Sequence, residues 1–457
     1  MLNSSVADPA RPACHFRPAA GWMNDPNGTI FHDGWYHLFF QHDPDRDTWG
    51  RMHWGHARSR DLVHWELLPL ALVPAKELGE DHCFSGSAWR DDAGRVLLFY
   101  SSVEGDHDGF RTAQWAVRAD ETLDDFGRVE ENPVVRPADG GDARLGPTAR
   151  DPFVFERAGR TFMVLGADLP GEGGAPAIPL YEAATPDLLR WRYRGFMYRP
   201  AADEERFLEC PNLLRVGDAD VLLLSPHGPV EYRIGRFDAD SGTFEADRIG
   251  RLDESMDFYA TSTFALEQNP EPAVVGWMRG WSSGRGWNGA LSLPRRLSIG
   301  PDGALLQRPE PALRQLRGPA AEMRGCVVAP GESVPGTAPP AASFELEAAL
   351  RAGDGDAGLR FVDPDGAAVL ELTIDAGGGS AELAGRTFDL PDAPDGRRSL
   401  RLFWDRSVAE LFVDEGRRVC TRVIDEADGA PVGVEWFARG APFEIVRAAV
   451  WPLAPIW

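Results

Sequence analysis

The sequence predicts an all-β protein, a five-bladed β-propeller followed by a C-terminal β-sandwich. Three observations predict it: short apolar runs recur between turn residues, one strand-turn-strand plan is repeated five times, and the pattern changes near residue 315. The 457 residues include 15 Trp, 49 Gly and 37 Pro, and long helical periodicity is hard to find. We therefore expect residues 1–315 to form the propeller and residues 316–457 to form a linker and the sandwich.

Five segments share a plan in which a polar motif precedes a strand, a tight turn and a second strand. Their heads are marked by Asp25, Ser85, Asp151, Glu209 and Tyr259, which lie 60, 66, 58 and 50 residues apart. A period of this length with four strands per unit is typical of propeller blades. The first strand of each blade lines the central channel, so the five motifs should converge at one mouth of it. A β-sandwich with coincidental spacing is the alternative.

Turn residues follow the first strand of each unit, as in β-hairpins. The predicted turns are residues 32–34, 91–94, 157–159 and 216–218, and the Asn269-Pro270 loop. Beyond residue 315, alternating stretches predict sandwich strands at residues 344–350, 358–362, 369–374, 399–404, 409–413, 432–437 and 443–451. All ten His precede residue 228, so we interpret the second module as a structural or carbohydrate-contacting partner.

Composition excludes several function classes. Lys+Arg is 47 and Asp+Glu is 71, and this net charge of −24 repels phosphate backbones and anionic lipids, so nucleic acid and membranes are not expected partners. The single lysine, Lys76, leaves little room for a lysine nucleophile. No apolar stretch reaches the length of a transmembrane helix, and the N-terminal residues lack the pattern of a secretory signal. Five scattered Cys predict neither disulfides nor zinc, which favours a cytoplasmic protein.

Three carboxylates occupy equivalent places in three repeats. Asp25 and Asp151 each stand directly before a Pro, and Glu209 stands two residues before Pro211. Each motif alone reads as a turn capped by its own side chains. Like charges that meet at one axis raise one another's pKa and are typical of sites that need an acid and a base. Two carboxyl groups flanking a glycosidic bond are the equipment of glycosidases.

Aromatic residues surround these motifs and suit the apolar faces of sugars, although many of them should simply pack between blades. They are Trp22, Trp49, Trp54, Phe84, Tyr259, Trp277, Trp281 and Trp287. The pair His53 and His56 lacks the Glu of a zinc-protease helix, so no metal is expected there.

The ordered motifs resemble glycoside hydrolase family 32, the invertase-like β-fructosidases, from about residue 15 to residue 451. They include GWMNDPNG at 21–28, CFSGSA at 83–88, RDP at 150–152, ECP at 209–211, DFYA at 257–260 and WDRSVAELFVDEG at 404–416. The resemblance implies that Asp25 is the nucleophile, Asp151 the transition-state stabiliser and Glu209 the general acid/base. It also implies a fructosyl pocket shaped by Asn24, Gln41, Trp49, Phe84, Ser85 and Arg150, with Asp257, Tyr259 and Trp277 nearby.

The resemblance implies retaining hydrolysis of terminal β-D-fructofuranosides such as sucrose and short fructo-oligosaccharides, without a metal or organic cofactor. Asn24 and backbone N–H groups would keep Asp25 ionised, and burial or nearby carboxylates would keep Glu209 protonated. The alternatives are a sucrose 6-phosphate hydrolase, an exo-inulinase or levanase, a fructosyltransferase and a non-catalytic sugar-binding propeller. A phosphorylated substrate would need a cation near the leaving glucose, for which the candidates are Arg46, Arg51, Arg279 and Arg285.

Overall fold

The structure, a computed structural model, describes residues 8–106, 109–136, 145–201, 206–266, 269–336, 340–351, 353–393 and 396–457. This part of the chain is mostly β-strand, with 3-10 helices at Lys76–Leu78, Pro170–Glu172 and Pro311–Leu316. Its strands form five blade sheets followed by two larger sheets, so the predicted fold class is confirmed.

Each of the first three blades is built from four consecutive antiparallel strands. Blade 1 contains β1 (Gly21–His32), β2 (Trp35–Asp43), β3 (His53–Ser59) and β4 (Trp65–Leu72). Blade 2 contains β5 (His82–Arg90), β6 (Val96–Asp106), β7 (Gly109–Ala119) and β8 (Phe126–Arg128). Blade 3 contains β9 (Arg150–Arg157), β10 (Arg160–Leu169), β11 (Ala175–Ala183) and β12 (Trp191–Tyr198). The predicted turns connect the first two strands of each of these blades.

Blades 4 and 5 complete the ring. Blade 4 contains β13 (Glu209–Val216), β14 (Ala219–Ser225), β15 (Glu231–Asp238) and β16 (Thr243–Arg251). The chain then forms β17 (Phe258–Leu266), β18 (Asn269–Met278), β19 (Trp287–Asn288), β20 (Ala290–Leu291), β21 (Arg295–Ile299) and β22 (Leu305–Pro309). Strand β19 leaves blade 5 and pairs in parallel with β1. The predicted Asn269-Pro270 turn is displaced, because Asn269 already pairs with Leu266 as the first residue of β18.

The first strands of neighbouring blades pack against one another in the order β1, β5, β9, β13, β17 and back to β1. Apolar cores lie between the blades; Phe39 and Trp54 of blade 1, for example, pack with Tyr100 of blade 2. This ring brings the five strand heads to one end of the axis, as the repeat pattern predicts.

The second module is a sandwich of two six-stranded sheets around one apolar core. Its strands are β23 (Ala321–Val328), β24 (Ser333–Pro335), β25 (Ser343–Arg351), β26 (Asp356–Val362), β27 (Ala368–Ile374), β28 (Ser380–Leu383), β29 (Arg386–Asp389), β30 (Arg397–Asp405), β31 (Val408–Val413), β32 (Arg418–Val423), β33 (Gly433–Arg439) and β34 (Phe443–Pro452). Strands β23, β25, β30, β31, β32 and β34 form one sheet and the others form the second. All seven predicted strands are present, and the domain boundary at residues 315 and 316 stays a prediction.

A buried network of charged side chains joins the propeller to the sandwich. Arg295 of β21 is fully buried and donates hydrogen bonds to Glu410 of β31 (2.5 Å) and to Asp253 (3.0 Å). The ring nitrogens of His15 lie 2.8 Å from Asp405 and 3.0 Å from Glu410. Because a buried charge without its partner is costly, each member of this network depends on the others.

We expect the stability of the protein to fall at alkaline pH because His15 loses its proton there. Burial lowers the pKa of His15, but its bonds to Asp405 and Glu410 outweigh burial and raise the pKa to about 9. The unfolded value is about 6.5, so this stabilisation is complete below that pH and is lost as the pH rises through 9. Urea unfolding from pH 6.5 to 9.5 should show a fall in unfolding free energy that is roughly 2–3 kcal/mol larger than in His15→Gln. Equal pH slopes for the two proteins would contradict this assignment.

Candidate active site

The carboxyl groups of Asp25, Asp151 and Glu209 lie around one mouth of the propeller channel. Cys210 Sγ is 3.6 Å from Asp25 Oδ2 and 3.7 Å from Asp151 Oδ2. Arg150 Nε is 3.2 Å from Glu209 Oε1 and 4.0 Å from Asp151 Oδ2. Three carboxylates that are far apart in the sequence therefore share two neighbours, and the predicted convergence is observed.

Local irregularities of the strands aim these side chains. The pairing of each first strand with its neighbour shifts register at its head, as in a β-bulge. Asp151, Cys210 and Ala260 adopt positive φ values of 63°, 48° and 40°. A residue with a Cβ pays about 1–3 kcal/mol for such a conformation, and this strain typically gathers at functional sites. These irregularities at the start of each strand change the direction of side chains that would alternate between the two faces of a regular sheet.

Asp25 is held by predicted partners. It accepts hydrogen bonds from Asn24 Nδ2 (3.0 Å) and Ser85 Oγ (2.5 Å), and Gln41 Nε2 in turn donates to Ser85 Oγ (2.6 Å). Burial raises the pKa of Asp25, and these donors only partly oppose it. Asn24 is thus among the groups that favour the ionised form of Asp25, and the ionised state itself stays a prediction.

Glu209 is surrounded by donors. Its Oε1 accepts from Arg150 Nη2 at 2.7 Å, Tyr259 OH lies 2.5 Å from its Oε2, and His227 Nε2 lies 3.6 Å from the same oxygen. Burial raises the pKa of Glu209, but Arg150, His227 and the Tyr259 hydroxyl together outweigh burial and bring the pKa below its ordinary value. The expected net upward shift is thus absent, because the nearest charge is a cation.

Asp151 carries the upward shift instead. Burial raises its pKa to about 7, and Arg150, at a greater distance than from Glu209, opposes this only in part. Asp151 also accepts a hydrogen bond from the backbone N–H of Cys210 at 3.0 Å. Asp151 therefore takes up a proton at a higher pH than an exposed aspartic acid does.

Aromatic side chains form the walls of the site. The Trp49 ring lies 6.1 Å from that of Phe84, and the Trp277 ring lies 5.7 Å from that of Trp22. Trp22 Nε1 also donates to Asn24 Oδ1 at 2.8 Å, so this wall supports the neighbours of Asp25. Such rings suit the apolar faces of a sugar.

Asp257 has a different environment from the one predicted. Its carboxylate accepts hydrogen bonds from Arg422 Nε (2.9 Å) and from the Val423 backbone N–H (3.0 Å), both on β32 of the sandwich. A role for Asp257 in contacting substrate stays a prediction.

Phe207 and His227 lie near the carboxylates and were not predicted from the sequence, and Arg279 was predicted only as a ligand for a phosphate. Phe207 lies under the Arg150 guanidinium at 3.9 Å, Arg279 lies over the Tyr259 ring at 4.3 Å, and His227 approaches Glu209. Each lies outside the five repeated heads, so no repeat position marked it. The segment Pro226–His227–Gly228 carries turn residues, and this was the one signal for a loop at the site.

Within the described ranges, no group of three or more His, Cys, Asp or Glu side chains is arranged to hold a metal ion. Nor does any helix in that part of the chain have the length and apolarity to cross a membrane.

Comparison with known proteins agrees with this geometry. Residues 15–309 match the profile of the glycosyl hydrolases family 32 N-terminal domain, and residues 367–452 match that of the family's C-terminal region. A sucrose-6-phosphate hydrolase of Escherichia coli is 33% identical over 441 residues, which cover 89% of this chain and 88% of that protein. A raffinose invertase of Escherichia coli is 33% identical over 91% of this chain and 90% of its own. A Bombyx mori β-fructofuranosidase structure has a TM-score of 0.82 at 26% identity, with 98% of this chain and 95% of that chain covered.

Proposed function

The chain belongs to family 32 of the glycosyl hydrolases and is a β-fructofuranosidase, and we propose that Asp25, Asp151 and Glu209 carry its reaction. The enzyme hydrolyses terminal β-D-fructofuranosides of the sucrose and fructan type. Our proposed assignment makes Asp25 the nucleophile, Glu209 the general acid/base and Asp151 the stabiliser of the fructosyl unit.

The surroundings of the Tyr259 hydroxyl carry this assignment. The hydroxyl lies 2.5 Å from Glu209 Oε2 and 2.9 Å from the Ser225 carbonyl oxygen, which can only accept. An ionised Glu209 accepts a hydrogen bond from the phenol. A protonated Glu209 donates a hydrogen bond to the phenol oxygen, and the phenol then donates to the Ser225 carbonyl. Glu209 is therefore hydrogen-bonded in both protonation states, as a group that gives and regains a proton requires.

In the first step, an Asp25 oxygen attacks the anomeric carbon of the fructosyl unit while the bond to the leaving oxygen breaks. Glu209 gives its proton to that oxygen, so the sugar leaves as a neutral alcohol and a covalent fructosyl-enzyme remains. In the second step, the Glu209 carboxylate takes a proton from water. The resulting nucleophile attacks the same carbon and releases Asp25, and two inversions give net retention.

Asp151 and Arg150 act on the fructosyl unit itself. Asp151 is 6% exposed and is fixed by the Cys210 N–H, so its carboxyl group can bind sugar hydroxyls without rearrangement. Arg150 offsets the negative charge of the cluster, since its guanidinium contacts Glu209 and faces Asp151. Binding energy at this pair orients the ring for attack by Asp25.

The proposed reaction depends on the protonation states of two carboxyl groups. The reaction needs an ionised Asp25, whose pKa is raised, and a protonated Glu209, whose pKa is lowered. We therefore expect the profile of kcat/KM to be a bell that reports the coupled cluster.

We propose unphosphorylated sucrose and short fructo-oligosaccharides as the substrates, and sucrose 6-phosphate is the second candidate. Arg285 is committed to Asp8 (3.1 Å) and Asp425 (2.9 Å), so it is a poor phosphate ligand. Arg279 favours the second candidate, because it lies over Tyr259 beside the acid/base, where the leaving sugar departs.

A cytoplasmic address is also part of this proposal. All five Cys are free thiols, and four of them are buried. Free thiols persist in reducing compartments. The proposed steps use side chains and water, and they require no metal or organic cofactor.

Glu209→Ala tests the proposed roles. Its kcat on sucrose should fall about 10²–10⁴-fold, because proton transfer to the leaving oxygen is lost. On 4-nitrophenyl β-D-fructofuranoside, which needs little protonation, the first step should survive, and azide should speed release of the intermediate as a β-fructosyl azide. Asp25→Ala is the control: it should lose activity on both substrates, and any azide product that it forms should have the inverted α configuration, because only one displacement occurs. If Glu209→Ala shows neither rescue, Glu209 is not the acid/base.

Ser85→Ala should move the acidic limb of kcat/KM to higher pH, by about one unit. The Ser85 hydroxyl stabilises the ionised form of Asp25, so its loss raises the pKa of Asp25 further, and Asp25 must be ionised to attack. Ser87→Ala is the matched control, because this hydroxyl on the same strand donates to the Pro152 carbonyl at 2.8 Å. An unmoved limb in Ser85→Ala would contradict the role of Asp25.

Measuring kcat/KM for sucrose and for sucrose 6-phosphate, each at low and high salt, distinguishes the two substrate candidates. We expect sucrose to match or exceed sucrose 6-phosphate, with little salt dependence. A tenfold preference for the phosphate, about 1.4 kcal/mol, that salt weakens would establish the second candidate instead. Arg279→Gln should then remove the preference, whereas Arg51→Gln, at an exposed position in the Trp49 loop, should retain it.

A further inference from the structure

Strand β32 of the sandwich contacts blade 5 near the active site through the carboxylate of Asp257. Arg422 Nε and the Val423 N–H both donate to Asp257 Oδ2, at 2.9 and 3.0 Å. Arg422 Nη1 also donates to the carbonyls of Leu383 and Ala384 at the end of β28. The guanidinium, whose side chain is 21% exposed, therefore fixes blade 5 to two strands of the second domain.

Asp257 is the residue directly before β17, and its backbone is held as well. Its N–H donates to Ser255 Oγ at 3.0 Å, and its carbonyl accepts from the Arg279 N–H at 2.9 Å. Two residues further on, Tyr259 pairs with Trp277 across the β17–β18 ladder. The position of Asp257 thus determines where Tyr259, the second residue of β17, is placed.

Tyr259 connects this strand head to the acid/base. Its hydroxyl contacts Glu209 and accepts from the His227 N–H at 3.0 Å, and its ring lies under the Arg279 guanidinium. The backbone of Ala260 directly follows in a strained positive-φ conformation. Because strain persists only where the surroundings enforce it, an anchor on the preceding residues is needed to hold this geometry.

We propose that Arg422 is a positioning residue for the acid/base: through Asp257 and β17, it fixes the Tyr259 hydroxyl against Glu209. The inference rests on the proposed role of Glu209. It gives the sandwich a part in the reaction although none of its residues touches the three carboxylates among the contacts of the described residues.

Arg308 provides a matched control. It lies on β22 and also joins the propeller to the sandwich, through an exposed ion pair with Glu415 at 2.8 Å. Arg308→Gln and Arg422→Gln each remove one interdomain ion pair with the same change of side chain. A general loosening of the interface would affect both variants.

The experiment compares sucrose with 4-nitrophenyl β-D-fructofuranoside in wild type, Arg422→Gln, Arg308→Gln and Glu209→Ala, at a temperature where all four are folded by circular dichroism. Arg422→Gln should lower kcat on sucrose about tenfold, as expected for one charge-assisted hydrogen bond, with KM nearly constant. Its kcat on the nitrophenyl substrate should change less than about threefold, because protonation matters little there. Arg308→Gln should match wild type on both.

Asp257→Asn keeps the shape of the anchor and removes its charge. If Arg422 acts through Asp257, the double variant should lose no more activity than the larger single change. Equal losses on both substrates in Arg422→Gln, or additive losses in the double variant, would overturn the positioning role. If Glu209→Ala itself does not discriminate between the substrates, the proposed function fails, and this inference fails with it. Should Arg422→Gln not fold, Arg422→Lys supplies the same comparison, with a charge that reaches Asp257 but lacks the planar fork.

Discussion

At the channel mouth, the guanidinium of Arg150 lies next to two of the three carboxyl groups. It contacts Glu209 at 2.7 Å, faces Asp151 at 4.0 Å and rests on the Phe207 ring at 3.9 Å. Buried like charges repel strongly, so a cluster without this cation would stay protonated or open. Because it is closer to Glu209 than to Asp151, the same guanidinium helps to lower the pKa of Glu209 and only partly opposes the effect of burial on the pKa of Asp151. One contact therefore serves both the folding of the ring and its chemistry.

The site also depends on departures from regular strand geometry. The first strands are bulged at their heads, and Asp151, Cys210 and Ala260 there have positive φ values. These irregularities turn toward the axis side chains that a regular strand would point elsewhere. Such conformations need external support, and the second domain supplies part of it. The buried network around Arg295 holds the domains together in bulk, whereas the contact of Arg422 with Asp257 fixes one strand head.

The repeated heads made much of this predictable from the sequence. Asp25, Asp151 and Glu209 recur at the spacing of the blades, each before an apolar strand. Because the blades close into a ring, equivalent positions of this kind are predicted to lie close together at one end of the channel. The pKa directions were not predictable, since they follow from whether a guanidinium lies 2.7 or 4.0 Å away. The partner of Asp257 was equally hidden, because Arg422 lies 165 residues later in an ordinary alternating strand. His227 and Phe207 lie in connections between strands, where no periodicity marks a position.

The contacts between the N-terminal segment and the sandwich have a consequence for synthesis on the ribosome. Each blade is nearly contiguous in sequence and can form as it emerges, but His15 and the Ala13 and Cys14 N–H groups bind Asp405 and Glu410, some 390 residues later. The Ala13 carbonyl accepts from Ile456, next to the last residue. These residues therefore cannot form their native hydrogen bonds until residues 405 and 410 have been synthesised, and water satisfies their polar groups in the meantime. The blades can thus assemble while this first segment still lacks its native partners.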